Sequence, residues 1–343
     1  TTEMSEATLP VLTLYDGNTA INELYGYTEK MDAAYMRDTI TPIGENRLLP
    51  VTVQTYQIAV DKISYEIRSL DAQRLIANAD VTSYTENKGM ISMELPIQNL
   101  LEKNEEYLLV IQLESGDRMI YYYTRIIESQ NSYVSECIDF VRQFNDTTFD
   151  SEKASSLSTY MEKTTGDNTT LQYVTLNNSL NQVSWAEFHG TRLTTPVPSV
   201  KEITSTYNVI VLDYVVTRVG QNGQSEYYNV EEYYRVRYTN TRMYLLNFER
   251  TMEEIFRGEN DSISGNSILL GIRSKDVEYQ TNESGKVVTF VQEGELWSYN
   301  QEANTLAKVF SFRGYEGVDD RENYGEHDIK IVNIDEAGSI RSE

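Results

Sequence analysis

The alternation of side chains within residues 207–250 constrains the fold more than any other feature of the chain. In the middle of this run, one parity carries Tyr228, Val230, Glu232, Tyr234, Val236 and Tyr238, and the other carries Tyr227, Asn229, Glu231, Tyr233, Arg235 and Arg237. Successive side chains of a β-strand point to opposite faces of the sheet. The pattern therefore predicts one long strand with a mostly buried face and a charged face.

Two apolar segments flank this strand and lack alternation. They are Val209–Leu212 and Met243–Phe248, and each is expected to form a strand that is covered on both faces. Asn222-Gly223 suits a tight turn, because both residues tolerate positive φ. The run 207–250 is thus predicted to be a three-stranded antiparallel meander. Glu232 interrupts the apolar face, so we expect it near a strand end or an opening.

The tyrosines of the meander have two interpretations. They are packing residues with a hydrated hydroxyl, or they form an aromatic face that binds a ligand. On the second interpretation the candidate binding residues are Tyr227, Tyr233, Arg235 and Arg237, together with Trp297 from the C-terminal part of the chain.

Short alternating segments recur between residues 51 and 128. They cover residues 51–55, 63–67, 91–97 and 107–113, with turn signals at Gly89 and at residues 115–117. This spacing is typical of a β-sandwich in which one face of each sheet points inward.

The segment 101–110 (LEKNEEYLLV) resembles the corner before the sixth strand of a fibronectin type III domain. In that family a leucine six residues before a tyrosine packs inward, and the tyrosine hydroxyl bonds to the backbone of the corner. The resemblance assigns these roles to Leu101 and Tyr107. It covers about residues 45–125, and it implies a spacer or interaction module without assigning any chemistry.

The hydrophobic period changes after residue 128. Apolar residues recur at helical spacing from Tyr133 to Phe144, with Asn131 or Ser132 as the expected N-cap. Cys137 lies on the apolar stripe, which predicts a small buried side chain. A second short helix is expected to start at residue 150 or 151 and to bury Leu157, and strands are predicted at 171–176 and 182–188.

Helices followed by an antiparallel sheet resemble the α+β roll of the nuclear-transport-factor-2-like superfamily. Some members of that group are enzymes with a polar cavity under the sheet. The resemblance implies Asp213, Glu232 and His189 as the cavity candidates here.

Four short strands are predicted near the C-terminus, at residues 277–280, 287–291, 296–300 and 308–312. The second and third, with the Trp297-Ser298-Tyr299 triplet, resemble one blade of a β-propeller, and residues 328–334 would begin the next blade. The predicted fold is therefore mainly β with a minor α component. It comprises an Fn3-like sandwich (1–128), an α+β module with the meander (129–257), and a partial propeller-like segment or strand extension (258–343).

Composition excludes several classes of function. The chain has 29 Lys and Arg against 53 Asp and Glu, a net charge of -24, which argues against nucleic acid and anionic lipid as partners. Its single cysteine and two histidines exclude an intramolecular disulfide and argue against structural zinc. No phosphate loop, nucleotide fingerprint or nucleophile elbow occurs, so neither catalytic residues nor a cofactor are predicted.

An acidic stretch near residue 320 is the weak candidate for a calcium site, through Asp319, Asp320, Glu322 and Asp328. The other interpretation is a solvated loop, because charge runs usually face water.

No apolar run approaches the roughly 20 residues that a membrane helix requires. The chain begins Thr-Thr-Glu-Met, and we expect a leader or anchor to precede it. These features predict a non-enzymatic binding, sensing or scaffold region of a larger bacterial surface protein. We expect it to be extracellular, attached to a membrane only through an anchor outside this sequence, with a protein or polysaccharide as its partner. The alternative is a hydrolase that acts on a cell-surface polymer through carboxylates of the α+β module.

Overall fold

A computed structural model describes residues 9–97, 101–162, 170–186, 188–220, 222–239, 241–258, 262–265, 267–272, 276–312 and 327–343. Within them the chain is mainly β with a minor helical part, which confirms the predicted fold class.

The described residues fall into two compact units. One holds Leu9–Arg218 and Val230–Thr251, and the other includes Val219–Asn229 and Met252–Glu343. The division into three domains remains a prediction.

Ten strands form the N-terminal part of the first unit. They are β1 (Val11–Asp16), β2 (Thr19–Tyr25), β3 (Ile40–Pro42), β4 (Leu48–Gln54), β5 (Lys62–Ser69), β6 (Leu75–Asp80), β7 (Tyr84–Asn87), β8 (Met90–Pro96), β9 (Glu106–Ser115) and β10 (Arg118–Ile127). One sheet has the order β2-β1-β4-β8-β7, and the other has the order β3-β10-β9-β5-β6. All pairs are antiparallel except β3 with β10.

The alternating residues of these strands build the sandwich core. Val51, Val53, Ile63, Ile91 and Leu109 are all almost fully buried, while their sequence neighbours on β4 and β8 face outward. Period-two patterning thus placed one face of each sheet inward, as expected.

The predicted corner contact is present. Leu101 and Tyr107 are both buried, and the backbone N–H of Glu102 donates to the Tyr107 hydroxyl at 3.0 Å. The bond fixes the entry of the chain into β9.

The next elements, most of whose residues belong to the first unit, form a sheet packed against helices. Its elements are α1 (Val134–Phe149), a 3-10 helix (Ala154–Tyr160), β11 (Tyr173–Thr175), α2 (Leu180–Val183), β12 (Thr191–Arg192), β13 (Ser199–Ile203), β14 (Asn208–Val219), β15 (Ser225–Thr239) and β16 (Arg242–Glu254). The sheet order is β11-β16-β15-β14-β12, and β13 also pairs with β14. The consecutive order of β14, β15 and β16 confirms the predicted meander.

Helix α1 covers the inner face of this sheet. The Phe144 ring contacts the rings of Tyr234 and Phe248 with centroids 5.6 and 5.4 Å apart. Cys137 is fully buried, as predicted, and burial raises the pKa of its thiol to about 11.

Three local predictions are wrong. The N-cap position of helix α1 is Tyr133, in the left-handed region and without a side-chain capping bond, rather than Asn131 or Ser132; the Ser132 hydroxyl shares a hydrogen bond with that of Ser129. The predicted strand at 182–188 is absent from the described residues of that range, 182–186 and 188; helix α2 occupies its start, and the Ser179 side chain caps that helix at Gln182. The third meander segment is not covered on both faces, since Leu246 is exposed.

Asn22 joins the sandwich to strand β13 of the α+β module, and both lie in the first unit. Its backbone N–H donates to the carbonyl of Pro198 at 2.9 Å, and its Oδ1 accepts from the backbone of Val200 at 2.7 Å. Its Nδ2 donates to the carbonyl of Ile40 and to the Thr41 hydroxyl. A fully buried amide with this many partners sets the position of β13 against the sandwich.

The second unit contains short strands. They are β17 (Ile263–Ser264), β18 (Ser267–Ile268), β19 (Tyr279–Thr281), β20 (Val287–Gln292), β21 (Glu295–Asn300), β22 (Thr305–Ser311), β23 (Ile331–Ile334) and β24 (Ile340–Ser342). Strands β19 to β22 form one antiparallel sheet in chain order, and β17-β18 and β23-β24 are hairpins. The four predicted C-terminal strands are therefore confirmed, with shifted ends.

We expect Tyr107→Phe to lower the free energy of unfolding by about 1 kcal/mol, because the backbone N–H of Glu102 loses its part-buried hydrogen bond to the hydroxyl. Urea denaturation followed by circular dichroism measures the change. Tyr121→Phe is the matched control, since its hydroxyl has no hydrogen-bond partner among the described residues. Equal stability of Tyr107→Phe and the parent chain would contradict the role of the corner bond.

Candidate functional site

The exposed face of the meander carries a group of arginines and tyrosines. We call it the arginine–tyrosine face, and its members are Tyr207, Tyr233, Arg235, Arg237, Arg242 and Tyr244. The odd-numbered residues of β15 point here because the even-numbered ones, Tyr234 and Val236 among them, are buried under α1.

The arginines of this face stack on its tyrosines. The guanidinium carbon of Arg235 lies 3.8 Å from the centroid of the Tyr207 ring. Those of Arg237 and Arg242 each lie 5.1 Å from the centroid of the Tyr244 ring. Stacking restrains each guanidinium while its N–H groups remain free to bond in the guanidinium plane.

Tyr233 is half-buried on the same face. Burial raises the pKa of its hydroxyl; the charge of Arg235 opposes this, and the charges of Glu202 and Glu249 add to it. The hydroxyl is therefore a neutral donor and acceptor at neutral pH.

The three arginines differ from most others of the first unit in their charge partners. Among the described residues, none of Arg235, Arg237 and Arg242 has a carboxylate within 4.0 Å. By contrast, Arg47 and Arg125 are paired with Glu128 and Glu106. The charges of Glu202 and Glu249 reach this face but form no ion pair with the three arginines, so the face presents guanidinium groups without an ion-pair partner next to aromatic rings, a combination suited to carboxylates.

The structure brings three of the five predicted binding residues together, namely Tyr233, Arg235 and Arg237. Tyr227 and Trp297 belong to the second unit. There the Arg257 guanidinium lies 5.1 Å from the Tyr227 ring, and Trp297 is 5% exposed in a cluster with Phe256 and Phe290. Trp297 is therefore a core residue of that unit, and its ring is not part of an exposed binding face.

Sequence reasoning missed Tyr207, Arg242 and Tyr244. Tyr207 lies just before β14, and Arg242 and Tyr244 lie just after the β15–β16 turn, so none belongs to the alternating segment. Pairing β15 with β16 across that turn would have placed Arg242 and Tyr244 next to the end of the alternating segment, and this pairing could be read from the sequence.

A buried polar network lies on the opposite face of the same strands. Glu232 is fully buried in the middle of β15, so the expectation of a strand end or an opening is wrong. The hydroxyls of Tyr214 and Tyr234 donate to its carboxylate at 2.8 and 2.6 Å, and Asn145 of α1 donates at 2.8 Å. Three donors explain how a carboxylate is accommodated in this core.

Arg250 provides the charge partner. It is fully buried, and one guanidinium nitrogen lies 3.7 Å from Glu232. Its other contacts are to the carbonyls of Gln182 and Val183 at the end of α2 and to the ring of Trp185, whose centroid is 4.0 Å away. The pair therefore ties β15 and β16 to both helices.

Only Glu232 of the three cavity candidates points inward. Asp213 and His189 are exposed, because Asp213 has outward parity on β14 and His189 lies in a turn with φ of 55°. Among the described residues of 129–257, Glu232 is the one buried carboxylate. The hydrolase alternative gains no support from this arrangement, since glycoside hydrolysis requires two carboxylates.

The calcium candidates Asp319, Asp320 and Glu322 lie outside the described residues, and Asp328 is exposed. In the described ranges no three His, Cys, Asp or Glu side chains come close enough to hold a metal ion. No helix among those ranges is long and apolar enough to cross a membrane.

No protein-family model matches the chain, and no curated protein matches it.

We expect Glu232→Gln to lower the free energy of unfolding by about 3 kcal/mol, because it leaves the Arg250 charge buried without a partner. In a double-mutant cycle measured by urea denaturation, Glu232→Gln combined with Arg250→Met should cost less than the sum of the two single substitutions, because the second removes the charge that the first leaves unpaired. Asp139→Asn, which breaks the exposed pair with Arg142, should cost under about 0.5 kcal/mol and is the control. A Glu232→Gln effect as small as that of the control would show that the pair does not hold the core.

Stability should fall as the pH rises above about 10, the ordinary pKa of tyrosine. Burial, and next the Glu232 charge, raise the pKa of Tyr214 and Tyr234 well above that value, so these hydroxyls keep their protons when folded and release them when unfolded. Unfolding by urea at pH 8 and pH 11 measures the loss. Tyr214→Phe should show a smaller loss over this interval; an equal loss would contradict the assignment.

Proposed function

We propose that this protein is a non-enzymatic binding region whose arginine–tyrosine face docks an acidic segment of a partner protein. The observation that carries the proposal is the presence of three arginines without carboxylate partners on one exposed face of a chain whose net charge is -24. A partner with carboxylates supplies the ion-pair partners that the described residues do not give these arginines, although the charges of Glu202 and Glu249 reach the same face.

The physical argument rests on competition within the chain. With 53 acidic residues, nearby carboxylates are abundant, and six arginines of the first unit are ion-paired. Stacking on Tyr207 and Tyr244 restrains the free guanidinium groups and lowers the entropy cost of binding. Arginine and tyrosine are also the residues that most often dominate the energy of protein interfaces.

Two finer parts of the fold belong to the same proposal. The sandwich is proposed to be fibronectin type III-like, supported by the Leu101–Tyr107 corner and by the strand order, in which β4 pairs with β8 and β9 lies between β5 and β10. The sheet β19–β22 is proposed to be a propeller-like blade, supported by its four antiparallel strands in chain order.

The setting of this binding region is proposed to be the bacterial cell surface, with membrane attachment only through an anchor outside the sequence. The single buried cysteine and the acidity of the chain are compatible with that setting. The division of the chain into three domains, with boundaries after residues 128 and 257, is part of the same proposal.

The double variant Arg235→Gln and Arg237→Gln should weaken binding of poly-L-glutamate by about tenfold or more at low salt, because two unpaired guanidinium groups are lost. Isothermal titration calorimetry measures the affinity, and binding by the parent chain should weaken as salt is added. The matched control is Arg74→Gln with Arg118→Gln, which removes two exposed sandwich arginines that have no ion pair among the described residues.

A third variant separates charge from geometry. Arg235→Lys keeps the charge but loses the planar stack on Tyr207, and it should weaken binding by about threefold. The proposal is overturned if the parent chain fails to bind poly-L-glutamate, or if the control pair weakens binding as much as the face variants.

A further inference from the structure

The outer edge of β16 is only partly occupied by another strand. Strand β11 pairs with β16 through Tyr173–Thr175, which lie opposite Glu249–Thr251, and β11 is the end strand of the sheet. The chain then turns away, and the Asn178 side chain accepts from the backbone N–H of Thr175 at 2.8 Å. Among the described residues, no strand pairs with residues 242–248 on this side. We call these residues the open edge of β16.

The open edge has the composition of a strand that can accept another strand. Its sequence is Arg-Met-Tyr-Leu-Leu-Asn-Phe, with no proline, no lysine and no carboxylate. Unpaired edge strands are usually protected by charged residues, proline or short length. Leu246 in the middle of this edge is 42% exposed. Every second residue of an edge strand directs its backbone N–H and C=O to the open side, so the edge offers a row of groups that another extended chain can pair with.

Two guanidinium groups lie beside the open edge. Arg242 is its first residue, and the Arg237 side chain reaches from β15 to Tyr244 of β16. Both guanidinium carbons lie 5.1 Å from the centroid of the Tyr244 ring, and neither arginine has a carboxylate within 4.0 Å among the described residues. A strand added at this edge lies about 4.8 Å from β16, so its side chains on that face can reach both arginines. Carboxylates are the side chains that these donors favour.

Charge also restricts where the carboxylates of an added strand can lie. Glu249 follows the open edge at the end opposite to Arg242, and its carboxylate accepts from the Asn247 side chain at 2.8 Å. Its negative charge repels carboxylates at that end of the edge. The acidic side chains of an added strand therefore belong near Arg237 and Arg242.

A second copy of this chain fits the open edge less well than a different protein does. Two open edges in contact would bring each Arg242 to a strand that contains no carboxylate, and each copy has a net charge of -24. A polysaccharide or a nucleic acid lacks the alternating N–H and C=O groups that pair with a strand edge. The edge therefore favours an extended, acidic segment of another protein.

We propose that the acidic segment of the partner binds as an added β-strand along the open edge of β16, with its carboxylates at Arg237 and Arg242. This inference rests on the proposed function, because it takes the partner to be acidic, and it adds the conformation of the segment and the place where its backbone binds. Backbone hydrogen bonds with residues 242–248 supply affinity, and the two guanidinium groups select an acidic sequence.

The test titrates the full chain with the peptide acetyl-Ser-Val-Glu-Val-Glu-Val-Ser-amide in isothermal titration calorimetry, where a Kd of about 1 mM or tighter is expected. Two further versions carry backbone N-methyl groups, one on both glutamates and the other on the valine that follows each glutamate. Neighbouring residues of a strand direct their N–H groups to opposite edges, so each version blocks one edge of the peptide. One version should bind at least about tenfold more weakly than the unmethylated peptide, and the other should bind within about twofold of it.

Hydrogen exchange and one substitution locate the contact on the chain. The backbone amides of residues 242–248 should exchange more slowly when the unmethylated peptide is bound, and those of β6, an edge strand of the sandwich, should not change. Arg242→Gln should weaken binding of this peptide at least about threefold, because one guanidinium beside the edge is lost. Arg118→Gln, on the sandwich, is the matched control and should leave it unchanged.

The inference fails if the peptide does not bind, if both methylated versions bind as tightly as the unmethylated peptide or are weakened equally, or if exchange of residues 242–248 does not slow. Poly-L-glutamate binding that is still weakened by Arg235→Gln with Arg237→Gln would then leave the docking of an acidic partner standing and remove only the added strand. Loss of both peptide and poly-L-glutamate binding removes both proposals. A dimer of the free chain in sedimentation velocity that the peptide dissociates would assign the edge to a second copy and overturn the inference.

Discussion

The buried contact between Glu232 and Arg250 is the interaction on which the α+β module depends. Both side chains are fully buried on neighbouring strands, and their remaining partners come from α1, β14 and the end of α2. Such a group has one low-energy arrangement, because shifting one of the two strands by one residue would point its charge to the other face and leave the second charge buried without a partner. The cost of desolvating two charges is offset only when the strands and helices all occupy their places. The network therefore specifies the register of the meander as much as it stabilises it.

Register on the inner face also decides what the outer face displays. When Glu232, Tyr234 and Val236 are held inward, Tyr233, Arg235 and Arg237 must lie outward. The arginine–tyrosine face is thus set by a network that it does not touch. A rigid sheet supports a docking surface better than a loop does, since its side chains need little reordering on binding.

Much of this architecture follows from period-two patterning. The sandwich strands, the meander and the C-terminal sheet could be predicted, because burial of one strand face leaves a direct record in the sequence. The corner at Leu101 and Tyr107 was expected only from the resemblance to fibronectin type III domains. The helix α2 could not be predicted, since residues 182–188 are apolar enough for a strand and the Ser179 cap outweighs that tendency. The place of Glu232 was also unpredictable, because its tolerance of burial depends on donors from Tyr214, Asn145 and Arg250, which are distant in sequence. Tyr207 and Tyr244 could not be predicted for the same reason, because they contact the arginines only through strand pairing and stacking.

The acidity of the chain restricts where an acidic partner can bind. A net charge of -24 repels anionic molecules in general, so an acidic partner needs a local group of unpaired cations, which the meander provides with Arg235, Arg237 and Arg242. The partner's carboxylates must therefore come close to these guanidinium groups, because the charge of the rest of the chain repels them.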